Sequence, residues 1–342
     1  MRLPQLILRL WPILGPFPVP NDSVVPQPKA LPVDPQVHSN LFTYAHLADI
    51  AYCISKTNHI TEPFKCDLNC EKRFPNVTLV HQWYVDDTAC GYVAVTDSNV
   101  FDYEEEASLP KRTVIVSLRG TRSIFDTYTD VKVDMVTYTN LMYNLPRCVD
   151  CRVHKGFYEA FAKTLNIVHN LLEDQIRGQD YELIFVGHSM GGSIALFLAL
   201  YYLDLGYENI SLVTFGQPLT GNQRFVNWAD NALGSQFPAS HNSFARKYLR
   251  VVHKDDVVAT IPKSRNPLDS YYQFDNQIYL NCSAADATPS PEQVVDCLTG
   301  ENPNCIRGDF QDGIDGILGG VNKNYYRSHN TYLRSIGLCG II

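Results

Sequence analysis

No run of eighteen uninterrupted apolar residues occurs in this chain of 342 residues, so a membrane-spanning helix is not expected. No basic cluster exceeds two or three residues, and the formal net charge is −8. A surface of that sign repels phosphate backbones, which argues against a nucleic-acid partner. No internal repeat is visible, and the acidic run Glu104-Glu105-Glu106 reads as a solvated loop ahead of Lys111-Arg112.

What is present in quantity is apolar residues, 45% of the chain, and cysteine, ten in all. That length and apolar share suffice for one large α/β domain with a full core. Ten cysteines point to an oxidising compartment. The spacings of Cys66 and Cys70, and of Cys148 and Cys151, also occur in zinc sites. Cys148 and Cys151 lack a clear second pair, so disulfides are expected rather than a metal. Four N-glycosylation sequons fit secretion: Asn21-Asp-Ser, Asn76-Val-Thr, Asn209-Ile-Ser and Asn281-Cys-Ser. At Asn281 a disulfide through the middle cysteine would tie up the acceptor. The N-terminus starts like a signal peptide, with Arg2 before Leu6-Ile7-Leu8, but Arg9 and Pro12 interrupt the apolar region and no small-x-small cleavage site follows. A proline-rich stretch over residues 16–35 should be extended, as in a linker or pro-segment. The chain therefore divides into a tail over 1–35 and a single domain over 36–342.

Periodicity predicts a helix over 40–53, with Leu41, Tyr44, Leu47, Ala48 and Ala51 on one face. Strands are expected over 91–96, 113–118, 181–186, 211–215, 248–253 and 275–280, and helices over 157–176, 193–202 and 223–233. Strands alternating with helices mean a largely parallel sheet with right-handed crossovers.

Between the strand at 181–186 and the helix at 193–202 lies Gly187-His188-Ser189-Met190-Gly191. A G-x-S-x-G at a strand-to-helix turn lifts a serine hydroxyl above the C-terminal edge of a sheet. A serine alone is a weak nucleophile and needs a base oriented by a carboxylate. In this architecture the chain order is serine, acid, histidine. Of ten histidines only His329 lies after residue 253. The alternative, His253, leaves only Asp204, Glu208 and Asp230 as acids, each in or beside a helix-like run. For His329 the acid should follow a later strand, where Asp255 and Asp256 both qualify. Asp256 is preferred because it directly precedes the apolar Val257-Val258, although periodicity does not separate the two. Farther upstream, Ile124, Tyr128, Val131 and Met135 recur at helical spacing, a pattern that fits either a mobile cover over the site or a plain surface helix. The apolar run over 135–145 is placed to line or flank the same pocket.

Together these residues resemble the fungal class 3 lipases, most closely the secreted yeast lipases. The resemblance spans roughly residues 40–342. It is carried by Leu118-Arg119-Gly120-Thr121, His154-Lys155-Gly156-Phe157, the elbow with its second glycine, Thr214-Phe215-Gly216-Gln217-Pro218, the Asp256 loop and Ser328-His329. It implies an α/β-hydrolase fold, a mostly parallel sheet with helices on both faces. It also implies a triad of Ser189, Asp256 and His329, and an oxyanion hole from Thr121 and the backbone N–H of Met190, where the family commonly has leucine. It places a lid over 124–135. The disulfides it implies are Cys53–Cys339, Cys297–Cys305 and small local bridges Cys66–Cys70 and Cys148–Cys151. Closing so long a loop as the first is worth ~4 kcal/mol in the chain-entropy picture. Cys90 and Cys282 are left over and are expected to form a fifth bridge. The expected function is that of a secreted, monomeric serine esterase acting on lipid carboxyl esters at an oil–water interface, with no cofactor or metal. A feruloyl or short-chain esterase is the alternative within enzymes, and a catalytically silent binding protein the alternative outside them.

Overall fold

The computed structural model describes residues 30–98, 100–101, 112–121, 134–240, 245–262, 270–300, 302–305 and 323–339. The elements are β1 Leu31–Pro32, α1 Pro35–Ile50, α2 Cys70–Arg73, β2 Thr78–Asp86, β3 Ala89–Thr96, β4 Arg112–Leu118, β5 Met135–Thr137, β6 Arg152–His154, α3 Lys155–Ile176, β7 Tyr181–His188, α4 Met190–Asp204, β8 Ile210–Phe215, α5 Gln223–Leu233, β9 Tyr248–His253, β10 Gln277–Leu280, β11 Val294–Asp296 and α6 Lys323–Asn330. Short 3-10 helices follow α1 at Ala51–Cys53 and β9 at Val257–Thr260.

Nine strands form one sheet in the order β1-β11-β10-β9-β8-β7-β4-β3-β2. From β4 to β10 the neighbours run parallel, and antiparallel pairs finish both edges. Strand β7 shows why the centre is parallel. Leu183 and Phe185 enter one apolar cluster with α3, α4 and α5, whereas Ile184 and Val186 enter the cluster containing α1. A strand buried on both faces reads as a continuous apolar run and needs a crossover helix to reach its parallel neighbour. The predicted strands and helices thus appear with shifted ends, and the additions include the edge strands β1 and β2, β11 beside β1, the short pair β5 and β6, and the helices α2 and α6. β2 carries an exposed or half-exposed residue at nearly every position, and β11 has only three residues, so neither shows a period.

Helix α1 starts where Asp34 accepts from the backbone N–H groups of Gln36 at 2.8 Å and Val37 at 3.3 Å, with Pro35 in its first turn. All five residues of its predicted apolar face are buried. At its other end Asp49 accepts from Arg334 Nε and from the Gly337 N–H, both at 2.9 Å. The disulfide Cys53–Cys339, across 286 residues, reinforces this joint between the N-terminal helix and the C-terminus. Bridges Cys66–Cys70, Cys148–Cys151 and Cys297–Cys305 are also formed. The expected Cys90–Cys282 bridge is not. Both are buried thiols, Cys90 on β3 and Cys282 just past β10. Four strands lie between them, so about five strand spacings, roughly 24 Å, separate the two. A disulfide needs its Cα atoms within about 7 Å. The middle residue of the Asn281 sequon is therefore untied, and Asn281 itself is exposed, as is Asn76. Asn209 is half-buried and donates to the Tyr181 carbonyl, while Asn21 lies outside the described residues.

Helix α4 is apolar all round and lies inside the molecule. Its last residue, Asp204, is buried and accepts from the N–H groups of Met142, Tyr143, Asn144 and Leu145 and from the Asn140 amide, all within 3.0 Å. Burial pushes this carboxyl up, but those donors outweigh it and hold it below its ordinary value. Replacing Asp204 with alanine leaves a row of backbone donors without a partner. We expect that variant to lose about 3 kcal/mol of stability, read as a lower melting temperature in a thermal unfolding scan.

Candidate active site

Strand β7 ends at His188, and the chain turns sharply through Ser189 (φ 57°, ψ −132°) into α4. A non-glycine residue at positive φ costs on the order of 1–3 kcal/mol and persists only where its surroundings impose it. Here the Ser189 N–H is held by the Phe215 carbonyl at 2.8 Å, and strand and helix are wedged together at the elbow glycines. A Cβ at Gly187 would lie 2.3 Å from the Gly191 carbonyl oxygen, and one at Gly191 would lie 2.3 Å from that of Leu118. The turn puts Ser189 at the N-terminus of a fifteen-residue helix, where a developing negative charge is favoured. Met190, also buried, is the first residue of that helix. Thr121 is buried in the loop after β4, one residue past Gly120, whose Cβ position lies 2.7 Å from that of Ser189. Both residues expected to hold the oxyanion thus flank the elbow.

His329 sits near the end of α6, with Nδ1 3.0 Å from each oxygen of Asp256. Asp256 is fully buried just past β9, capping the 3-10 helix by accepting from Val258 N–H at 2.9 Å. The Tyr332 hydroxyl donates to its other oxygen. Burial pushes the Asp256 carboxyl up, but the His329 ring and the hydrogen bonds from His329 and Tyr332 outweigh it and keep it below its ordinary value. An ionised carboxylate accepts only, so His329 carries its proton on Nδ1 and keeps Nε2 as the nitrogen able to accept one. Among the described residues, the buried Ser189 Oγ and His329 Nε2 have no hydrogen-bond partner.

The competing assignments separate clearly. Asp255 is exposed and directed by its own left-handed backbone, φ 63°. His253 Nδ1 faces the Lys254 carbonyl, and its Nε2 lies 3.4 Å from Cys282 Sγ. Asp204 is committed to its loop, and Asp230 binds Ser235 and the Asp275 N–H. Of the segment read as a cover, residues 124–133 lie outside the described residues, and Met135 begins β5.

Three further residues shape the site. Gly216 has φ 57°, and a Cβ there would lie 2.9 Å from Asp256 Oδ2 and 3.0 Å from the His329 ring. A side chain at that position would push the acid and base apart. Tyr332 fixes the carboxylate, as described. Arg250, fully buried on β9, donates to the Gln217 carbonyl at 2.8 Å and the Ala259 carbonyl at 2.9 Å, joining the loops that carry Gly216 and Asp256. The Gly-Gln-Pro motif signalled the first. Nothing in the sequence signals the other two except a tyrosine three residues past the histidine and one arginine in an apolar strand. Among the described residues no group of three or more His, Cys, Asp or Glu could hold a metal, and no helix is long and apolar enough to cross a membrane.

A chain with a strained serine at a strand–helix elbow and a buried Asp–His pair has matching relatives. The family model for lipases of class 3 matches residues 115–266. The chain is 31% identical over 334 residues to the secreted mono- and diacylglycerol lipase 2 of Gibberella zeae, covering 92% of this chain and 78% of that relative. It is 28% identical over 352 residues to lipase A of Sodiomyces alcalophilus, covering 92% and 82% respectively. Among solved structures, Lip2 lipase from Yarrowia lipolytica superposes with a TM-score of 0.73 at 27% identity, over 91% of this chain and 98% of that one. The fold is that of the α/β-hydrolases, and the chain belongs to the class 3 lipase family of serine carboxylic ester hydrolases.

Proposed function

We propose that this chain is a secreted triacylglycerol lipase working through Ser189, His329 and Asp256. The observation that carries the reading is the buried His329–Asp256 pair, 3.0 Å apart, whose second ring nitrogen, like the Ser189 hydroxyl, has no partner among the described residues. In the first half-reaction His329 Nε2 takes the Ser189 proton as Oγ attacks the ester carbonyl. The buried Asp256 carboxylate stabilises the imidazolium that forms. Negative charge on the former carbonyl oxygen is met by the N–H groups of Thr121 and Met190, a pair of donors worth about 3 kcal/mol each when preorganised. Collapse of the tetrahedral intermediate breaks the C–O bond, and the leaving alcohol takes the proton from Nε2. Water then attacks the acyl-enzyme with His329 again as base, releasing the fatty acid and restoring Ser189.

The disulfides, the sequons at Asn76 and Asn281 and the secreted relative support an extracellular location. One chain supplies every group named, so a monomer suffices. The test pairs a serine-directed phosphonate with a panel of emulsified triacylglycerols, soluble short-chain esters and feruloyl esters. Labelling at Ser189 with preference for the emulsion is the expected result. Labelling with preference for feruloyl or soluble short esters would reassign the substrate, and a folded protein left unlabelled would make it a silent binding homologue.

A further inference from the structure

Behind the triad lies a second buried pair that the reaction scheme does not use. His188, the residue before the nucleophile, is fully buried. Its Nε2 is 2.8 Å from the main-chain oxygen of His329, and its Nδ1 is 2.6 Å from the hydroxyl of Tyr52. The same hydroxyl is 3.2 Å from the N–H of Gly120. The proton positions follow from valence. A carbonyl oxygen only accepts, so His188 Nε2 carries the proton. In a neutral imidazole Nδ1 is then an acceptor, so the Tyr52 hydroxyl donates to it. The phenol oxygen is left to accept from Gly120. Donation therefore runs one way, from Gly120 N–H to Tyr52, from Tyr52 to His188, and from His188 to the His329 carbonyl. Burial, together with the neighbouring His329, depresses His188 to about 3, so the ring stays neutral and the pattern keeps one sense.

Each contact lands on a different part of the machinery. Gly120 precedes Thr121, His188 precedes Ser189, and the accepting carbonyl belongs to His329 itself. Tyr52 is anchored from behind, adjacent to the bridged Cys53 and within reach of Gly337. We propose that Tyr52 and His188 are positioning residues that set the spacing of oxyanion loop, nucleophile and base, and so act on turnover rather than on substrate binding. This rests on the triad reading above. A misplacement near 1 Å at a reacting group costs on the order of 100-fold in rate.

Tyr52→Phe removes one oxygen and keeps the ring. Its kcat on a soluble ester should fall roughly 10–100-fold with KM within about two-fold of wild type. His188→Gln, which keeps a donor for the His329 carbonyl, should retain more turnover than His188→Ala. Wild-type kcat in Tyr52→Phe, or a loss confined to KM, would overturn the proposal. Should these variants not fold, nitrogen-15 histidine spectra of the wild-type protein decide. They should show His188 as the neutral, Nε2-protonated tautomer from about pH 5 to 8. An Nδ1-protonated or titrating ring overturns the proposal. Failure of a phosphonate to label wild-type Ser189 would instead remove the catalytic reading, whichever tautomer His188 shows.

Discussion

Ser189→Ala should lower ester-hydrolysis kcat by roughly 10⁵–10⁶-fold while leaving the fold and its stability nearly untouched. The two halves of that expectation have separate physical grounds. In the proposed mechanism this hydroxyl forms the acyl-enzyme, so its loss leaves only whatever oxyanion donors and substrate binding can do for a water molecule. The same hydroxyl makes no hydrogen bond among the described residues, so its removal orphans no partner there. Alanine keeps the Cβ and with it the strain at φ 57°, which the Phe215 contact and the elbow glycines continue to impose. Stability should move by less than about 1 kcal/mol. The measurements are kcat on a soluble ester and the midpoint of thermal unfolding. A variant keeping roughly a tenth of wild-type turnover would exclude Ser189 as the nucleophile.

The elbow was legible in the sequence because local forces make it. An apolar strand, two close-approach glycines and an apolar helix are adjacent in the chain, and their pattern needs no tertiary information. His329 was singled out for a different reason: chain order left one usable histidine, and the structure pairs it with Asp256. The choice between Asp255 and Asp256 could not be made by periodicity. It depends on which carboxylate the 3-10 helix turns inward, and the structure shows Asp256 buried and capping that helix while Asp255 faces solvent. Tyr332, Tyr52 and His188 were illegible because their contacts exist only across the fold. Tyr332 reaches Asp256 over 76 residues, Tyr52 reaches His188 over 136, and His188 reaches His329 over 141. Cysteine counting failed in the opposite way. An even remainder suggested a fifth bridge, and sheet order, which no spacing rule encodes, put Cys90 and Cys282 beyond reach of each other.

The contacts of Tyr52, His188 and Arg250 share one property with the proposed triad. Each joins a strand end to a loop through a side chain that is buried and whose hydrogen-bonding role is fixed by its partner. Arg250 does this with a cation: burial pushes its pKa below the ordinary value, yet two carbonyls at 2.8 and 2.9 Å receive it. Keeping a guanidinium inside is costly unless its donors are satisfied. Here the cost maintains the distance between the Gly216 loop and the Asp256 loop. A precise site can therefore rest on three loops because polar side chains behind them fix their spacing.

Asp256→Asn tests that precision most directly, and its kcat should fall about 10⁴-fold with little change in KM. The amide is the same size and can still accept from Val258 N–H, so the loop keeps its shape. It cannot accept from both His329 Nδ1–H and the Tyr332 hydroxyl, which the carboxylate does. If the amide nitrogen faces His329, the ring must turn its lone pair toward it and carry the proton on Nε2, where it can no longer deprotonate Ser189. The imidazolium of the transition state also loses its counter-charge. Adding Ser189→Ala to this variant should lower kcat no further than Ser189→Ala alone, because acid, base and nucleophile act as one unit. Additive losses would mean that Asp256 serves the fold and not the base. Stability offers an independent check with a definite sign. The folded Asp256 carboxyl titrates below its ordinary value. Its contribution is therefore complete above the unfolded pKa of about 4 and is lost as pH falls through the folded value. Wild type should unfold at a higher temperature than Asp256→Asn near neutrality, and the gap should close on acidification, once the wild-type carboxyl carries a proton and resembles the amide. A gap that widened in acid would mean that the carboxyl is not held as an anion by His329 and Tyr332.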